Sequence, residues 1–262
     1  MFEVIKIYLK MKEQYIKTEM EYTFNFWMML ISGVLTRLLA MAVPFVIYGS
    51  LPDIAGWKEN EIYLIMALLS VSDGACSVFF EGIWRIPEMV FHGELDNVLA
   101  RPISPLFQIL SYGLGLQGLA VCSFGIVMMF VCIVSLGRFN PGTLALCALF
   151  VVCGTAICMS IYLIGNSLAF WFDTGGRTTL PYAIVKLGDY AKYPAGIYPL
   201  FVRFILMFLI PFSFIGEIPV RILRGESTLM YGAGLVAVSA VFVAASRAFF
   251  YRGIRKYESM GM

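Results

Sequence analysis

Long apolar runs separated by short polar breaks dominate the chain, and the runs match the thickness of a bilayer. No charged residue lies between Arg101 and Arg138, and none between Arg138 and Asp173. Each stretch exceeds the roughly 20 residues a helix needs to cross the hydrocarbon core. The pattern predicts six spans at about 25–49, 60–80, 106–136, 143–171, 196–216 and 228–250. The second is the weakest because Asp73 sits in its middle. The fifth carries Arg203 and is interrupted by Pro211, so its continuation "IPFSFIGEIPVRIL" reads as a bent or partly re-entrant segment. Backbone of that kind is tolerated at membrane depth only where protein or water covers it.

A different pattern precedes the first span. Over residues 3–22, at 100° per residue, Val4, Ile5, Tyr8, Leu9, Met11, Tyr15, Ile16, Met20 and Tyr22 share one arc, with Lys6, Lys10, Glu13, Lys17 and Glu21 opposite. Lys12 and Glu19 intrude on the apolar arc, to snorkel or to pair. The segregation predicts a helix lying in the membrane interface, rather than a plain extension of the first span. The expected fold class is therefore an all-α membrane protein: six transmembrane helices with an N-terminal amphipathic interfacial helix. It forms one domain over 1–262, comprising the interfacial helix (1–24), the six-span bundle (25–250) and a basic tail (251–262).

Composition agrees. Hydrophobic residues are 60% of the chain and charged residues 14%, against about half and a quarter in soluble domains. A net charge of +2 gives no reason to expect nucleic acid. The six cysteines (Cys76, Cys122, Cys132, Cys147, Cys153 and Cys158) form no CxxC pair and read as buried small hydrophobes. His92 is the single histidine, which argues against a His-based zinc site. The N-terminal charges continue to Glu21, so no cleavable signal is expected.

Lysine and arginine set the expected orientation. With Arg37 and Arg203 taken as intramembrane, thirteen basic residues fall on one side: Lys6, Lys10, Lys12 and Lys17; Arg85 and Arg101; Arg177, Lys186 and Lys192; Arg247, Arg252, Arg255 and Lys256. Four fall on the other: Lys58, Arg138, Arg221 and Arg224. Both termini and the loops after spans two and four are expected in the cytoplasm.

Catalytic patterns are missing from the sequence. There is no G-x-x-x-x-G-K-[ST] to hold nucleotide phosphates and no G-x-S-x-G elbow. "DTGGRTT" at 173–179 reads as a loop at a span's end. Arg37 and Asp73 stand out as intramembrane charges, either lining a substrate path or pairing structurally between spans one and two; with no further charges gathered into a relay, the structural pair is preferred. Gly113, Gly115, Gly118 and Gly125 in span three, and Gly154 and Gly165 in span four, suit close helix packing.

The most polar stretch, "HGELDNVLARPISP" (92–105), follows span two. Leu95, Val98 and Leu99 fall at i, i+3 and i+4, Glu94 and Asp96 suit the first turn of a helix, and Pro102 stops it while pushing Arg101 out of α geometry. A short amphipathic cytoplasmic helix results. Its apolar face suits a partner's groove, or equally headgroups or neighbouring spans.

"GELDNVLARPISP" resembles the signature of bacterial type 2 ABC exporter permeases. "GW" at Gly56–Trp57, "YPAGIYP" at 193–199, "IPFSFIGEIP" at 210–219 and the closing "YRGIRKYESMGM" are similar to further pieces of that family, in order. The resemblance implies a permease subunit of the bacterial cell membrane with a cytoplasmic coupling helix formed by Gly93, Glu94, Leu95, Asp96, Val98, Leu99, Arg101 and Pro102. Leu95, Val98 and Leu99 would be a knob in an ATPase groove, Glu94 and Asp96 would meet its basic rim, and Pro102 would pass the tilt into span three. The implied partners are separate ABC ATP-binding subunits, which carry ATP and magnesium, and a second permease, identical or sister. No cofactor is expected in this chain. A secondary transporter or channel would need charge relays or repeats; a membrane-embedded enzyme would need clustered titratable groups. The sequence shows neither, and a non-transporting scaffold remains open.

Overall fold

The structure is a computed structural model that describes residues 2–49, 55–172 and 175–257. Asp173 and Thr174 of the expected loop and residues 258–262 of the tail lie outside the described residues, as do the side chains of Val4, Ile5, Lys6, Leu9, Met11 and Glu19. The described residues are predominantly helical, with no strand. The helices are α1 (Phe2–Glu21), α2 (Thr23–Tyr48), α3 (Glu59–Phe80), α4 (Ile86–Phe91), α5 (Leu95–Leu99), α6 (Pro105–Ser111), α7 (Leu116–Ser135), α8 (Pro141–Ser167), α9 (Thr179–Lys186), α10 (Leu200–Phe204), α11 (Glu217–Arg224) and α12 (Thr228–Lys256). Local chemistry sets several ends. Glu61 Oε2 accepts the Lys58 backbone N–H at 2.8 Å to cap α3, and Asn140 Oδ1 accepts the Thr143 N–H at 2.8 Å ahead of Pro141 to start α8. Gly225, left-handed at φ 90°, ends α11.

Five helices are long and apolar enough to cross a membrane, or six if the bent pair Leu200–Leu209 and Phe212–Arg224 counts as one span. The second span, weakest by sequence, is the most enclosed: α3 lies between α7 and α8. Gly74 lets it approach α7 so closely that an added Cβ would stand 2.5 Å from the Cys122 backbone nitrogen. α2 rests on α7, with Gly33 against Gln117 and Ala120, and α12 runs beside α8, with Phe250 and Gly253 against Phe170. Both ends of the described chain meet at one end of the bundle. There Lys12 reaches Gly113, and the Ser104 and Tyr251 hydroxyls lie 2.9 Å apart.

Three spans depart from the expected bounds. The third does not run from 106. α6 stops at Ser111, Tyr112 is extended, Gly113 is at φ +73°, and the spanning helix begins at Leu116. The cause is contact: Gly82 sits so close to α6 that an added Cβ would meet the Ile109 carbonyl oxygen at 1.9 Å, which holds α6 across the bundle end. The sixth runs on to Lys256, so residues 251–256 belong to the last helix rather than to a tail.

The fifth changes most. The segment from Thr179, expected as a loop to about 195, climbs along α8: Pro181 and Ile184 face Gly165, Phe212 faces Gly188, and the Ala195 N–H donates to Glu217 at 2.7 Å. The chain then turns through α10 and bends by 70° into α11, whose Arg224 reaches Glu61 at the start of α3. Pro194, Pro199 and Pro211 remove backbone donors and so divide what the apolar pattern presents as one run.

Candidate functional site

Asp73 lies mid-way along α3, where apolar neighbours make an unpaired carboxylate costly. Two donors satisfy it. Arg37 Nη2 from α2 is 2.5 Å from Oδ2, and the Tyr162 hydroxyl from α8 donates to Oδ1 at 2.6 Å. The side chains of Arg37 and Asp73 keep 19% and 35% exposure, because two adjoining cavities of about 280 and 370 Å³ open beside them. Both cavities are lined by Thr36, Arg37, Asp73, Tyr162 and Tyr182.

More charge gathers here than the sequence suggested. The smaller cavity adds Lys186, Asp189 and Lys192 from the climbing segment, with Lys192 Nζ 2.7 Å and Lys186 Nζ 3.4 Å from the Asp189 carboxylate. The larger adds Ser77 and Glu81, whose carboxylate accepts the Ser77 hydroxyl at 2.7 Å. The expectation that no further charges gather is corrected: lysines assigned to a free loop are packed along the bundle instead. Asp73, Ser77 and Glu81 at i, i+4 and i+8 were a legible signal of one polar face; Tyr162 and Asp189 carried none. Arg203, the third residue expected in the membrane, is exposed on α10 and makes no ion pair among the described residues.

At the mouth, α1 docks through Tyr8, Lys12 and Tyr15. Tyr8 donates to the Phe79 carbonyl at 2.8 Å, Tyr15 packs on Tyr112, and Lys12 Nζ donates to the carbonyls of Val78 at 3.1 Å and Gly113 at 2.5 Å. Burial pushes the Lys12 amine down to about 8, opposed in part by nearby Glu81. So the residue that breaks the apolar arc pairs with backbone oxygens rather than snorkelling.

The polar stretch at 92–105 lies at the same end. Gly93, at φ +72°, turns the chain into α5, and Gln108 Nε2 holds the helix by donating to the carbonyls of Val98 at 2.9 Å and Ile103 at 2.8 Å. The expectation of a three-residue knob is corrected at Leu95, which is 0% exposed inside this chain's own core and anchors α5. Val98 is half-buried, Leu99 is 39% exposed, and Glu94, Arg101 and Pro102 are exposed; Asp96 occupies the first turn. Arg85 stacks on Tyr112 at 4.2 Å and reaches Glu94 at 3.7 Å across a cavity of about 450 Å³ whose lining includes Arg101.

A second polar cluster, unforeseen as a unit, closes the opposite end. Glu217, 1% exposed, accepts from Arg221 at 2.8 Å, and Arg224 Nε donates to Glu61 at 2.7 Å. The two guanidinium groups lie 5.3 and 4.0 Å from the ring of buried Trp57. This clasp fixes the bent fifth span to the start of the second. No group of three or more metal-ligating side chains occurs among the described residues.

An all-helical bundle of five or six candidate spans is the architecture of a multi-pass membrane protein. The model of the ABC-2 family transporter proteins matches residues 34–261, and the chain belongs to that family. Comparison with curated proteins and with solved structures finds no match. Family membership makes the chain the membrane-embedded permease component of an ABC transporter, not itself the ATPase.

Proposed function

We propose that the chain is the permease of an ATP-driven exporter in a bacterial plasma membrane, working with a second permease copy and separate ATP-binding subunits that carry ATP and magnesium. Its single domain needs no cofactor of its own. Both termini and the 92–105 stretch face the cytoplasm. The observation that supports this most is the gathering of α1, α4 to α6 and the end of α12 at one end of the bundle, the end where most of the basic residues fall. There Gly93 to Pro102 form the coupling element, with Leu99, Glu94 and Arg101 as its accessible face and Leu95 as its anchor. Cargo passes between two permease copies.

The test is co-expression with an ABC ATP-binding subunit from the same genome. Leu99→Asp with Arg101→Glu alters only exposed positions, so the permease should insert at normal levels while ATPase co-purification is lost. Retained association with normal transport-stimulated ATPase activity would refute the coupling assignment.

A further inference from the structure

We propose that the cavity between α2, α3, α8 and the 179–192 segment binds an amphiphile whose headgroup is an oxyanion, a phosphate or carboxylate carried on an apolar tail. As a cargo site it rests on the permease reading above; as a binding site it stands apart from it.

The argument starts from which hydrogen-bonding groups the protein leaves over. Both carboxylates facing the 280 Å³ cavity are engaged on both oxygens. Asp73 accepts from Arg37 and Tyr162, and Asp189 Oδ1 and Oδ2 face Lys192 and Lys186. The cations are not used up in the same way. Arg37 gives one terminal nitrogen to Asp73, and its other terminal nitrogen makes no hydrogen bond among the described residues. Each lysine carries three N–H donors and meets one carboxylate, and Lys186 also meets Tyr182, its hydroxyl by a hydrogen bond and its ring at 5.2 Å. In the smaller cavity three cations stand against two carboxylates, Glu81 lining only the adjoining one, so the smaller cavity is positive and rich in donors. Oxygens of an anion fit that remainder; a cation would meet carboxylates already paired with Arg37 and the two lysines, and three like charges.

The tail follows from the surroundings. Thr36 and Tyr182 at the margin are exposed, and from Thr36 the same face of α2 continues through Leu39 and Val43, 63% and 52% exposed. An apolar chain lies along that face while its headgroup sits among the lysines. A soluble phosphate would make no use of it.

The full chain, purified in detergent, is titrated with a fluorescent phosphatidic acid. Saturable binding is expected. Lys186→Gln with Lys192→Gln should weaken it by about tenfold or more, the worth of one or two charge-assisted contacts. Asp189→Asn, which frees both lysines, should tighten it, and Lys256→Gln, exposed at the end of α12, should leave it unchanged. All three cavity positions lie in exposed or half-exposed ion pairs, so the variants should elute as wild type does in size exclusion. Unchanged affinity in the double lysine variant overturns the proposal. Weaker binding in Asp189→Asn overturns it in favour of a cation site. Displacement by glycerol 3-phosphate at concentrations equal to the lipid overturns the amphiphile in favour of a soluble phosphate. No saturable binding to the wild type overturns it as well and leaves the permease reading intact, because ATPase association is measured separately.

Discussion

Asp73→Asn is the most informative single change. The substitution keeps the shape and removes the charge, leaving Arg37 without its counter-ion at mid-helix depth. Breaking one side of a fully buried pair costs about 3–5 kcal/mol, whereas exposed pairs contribute about 0.2–1 kcal/mol. Side-chain exposures of 19% and 35% place this pair between those limits, so the cost is on the order of 2 kcal/mol. Arg37→Gln in the same chain removes the stranded guanidinium and should recover about half of that. Tyr162→Phe deletes the second donor to Asp73 from a buried position and should cost about 1–2 kcal/mol. Apparent melting temperature in detergent reads these differences. At about 2–4 °C per kcal/mol for a chain of this size, Asp73→Asn should melt about 4–8 °C lower, with the double variant in between. Additive losses, with the double variant melting at the sum of the two single shifts, would show that the two groups do not compensate each other and would refute the reasoning.

Two further outcomes follow from contacts elsewhere. Gly82→Ala would place a Cβ 1.9 Å from the Ile109 carbonyl oxygen, part of a backbone that cannot swing aside, whereas Gly232→Ala on α12 meets nothing within 4 Å. Monomer yield should collapse in the first and hold or rise in the second. Lys12 gives a pH signature. Its amine titrates near 8 when docked against an ordinary 10.5, so undocked α1 binds more protons between those values. Docking therefore strengthens as pH rises from about 8 to about 10; above that the undocked Tyr8 ionises at its ordinary 10.0 while the docked hydroxyl, pushed up to about 12 by burial, keeps its proton, and the trend reverses. Protease cleavage within α1 should slow across that window in the wild type and show no such trend in Lys12→Met.

The sequence by itself determined what depends on counting apolar residues between charges. The charge-free stretches flanking Arg138 had to be spans. Asp73 in an apolar run needed a partner, and Arg37 was the basic residue at similar depth in the preceding run. The motif at 93–102 and its neighbours pointed to the family. Apolar count does not say where backbone is pushed aside, so tertiary structure alone decided the rest. The approach of Gly82 to Ile109 divided the third run into α6 and α7. The prolines from 194 to 211, with the ties of Glu217 to Ala195 and of Arg224 to Glu61, turned the fifth run into a climb, a bend and a second climb. Leu95 and Leu99 occupy the same apolar stripe in the sequence, yet one is sealed in the core and the other is open. Periodicity defines a face but not what covers it. The gathering of Lys186, Asp189 and Lys192 beside Arg37 and Asp73 has the same origin: residues more than a hundred positions apart share a cavity only because α9 packs on α8 rather than leaving the bundle as a loop.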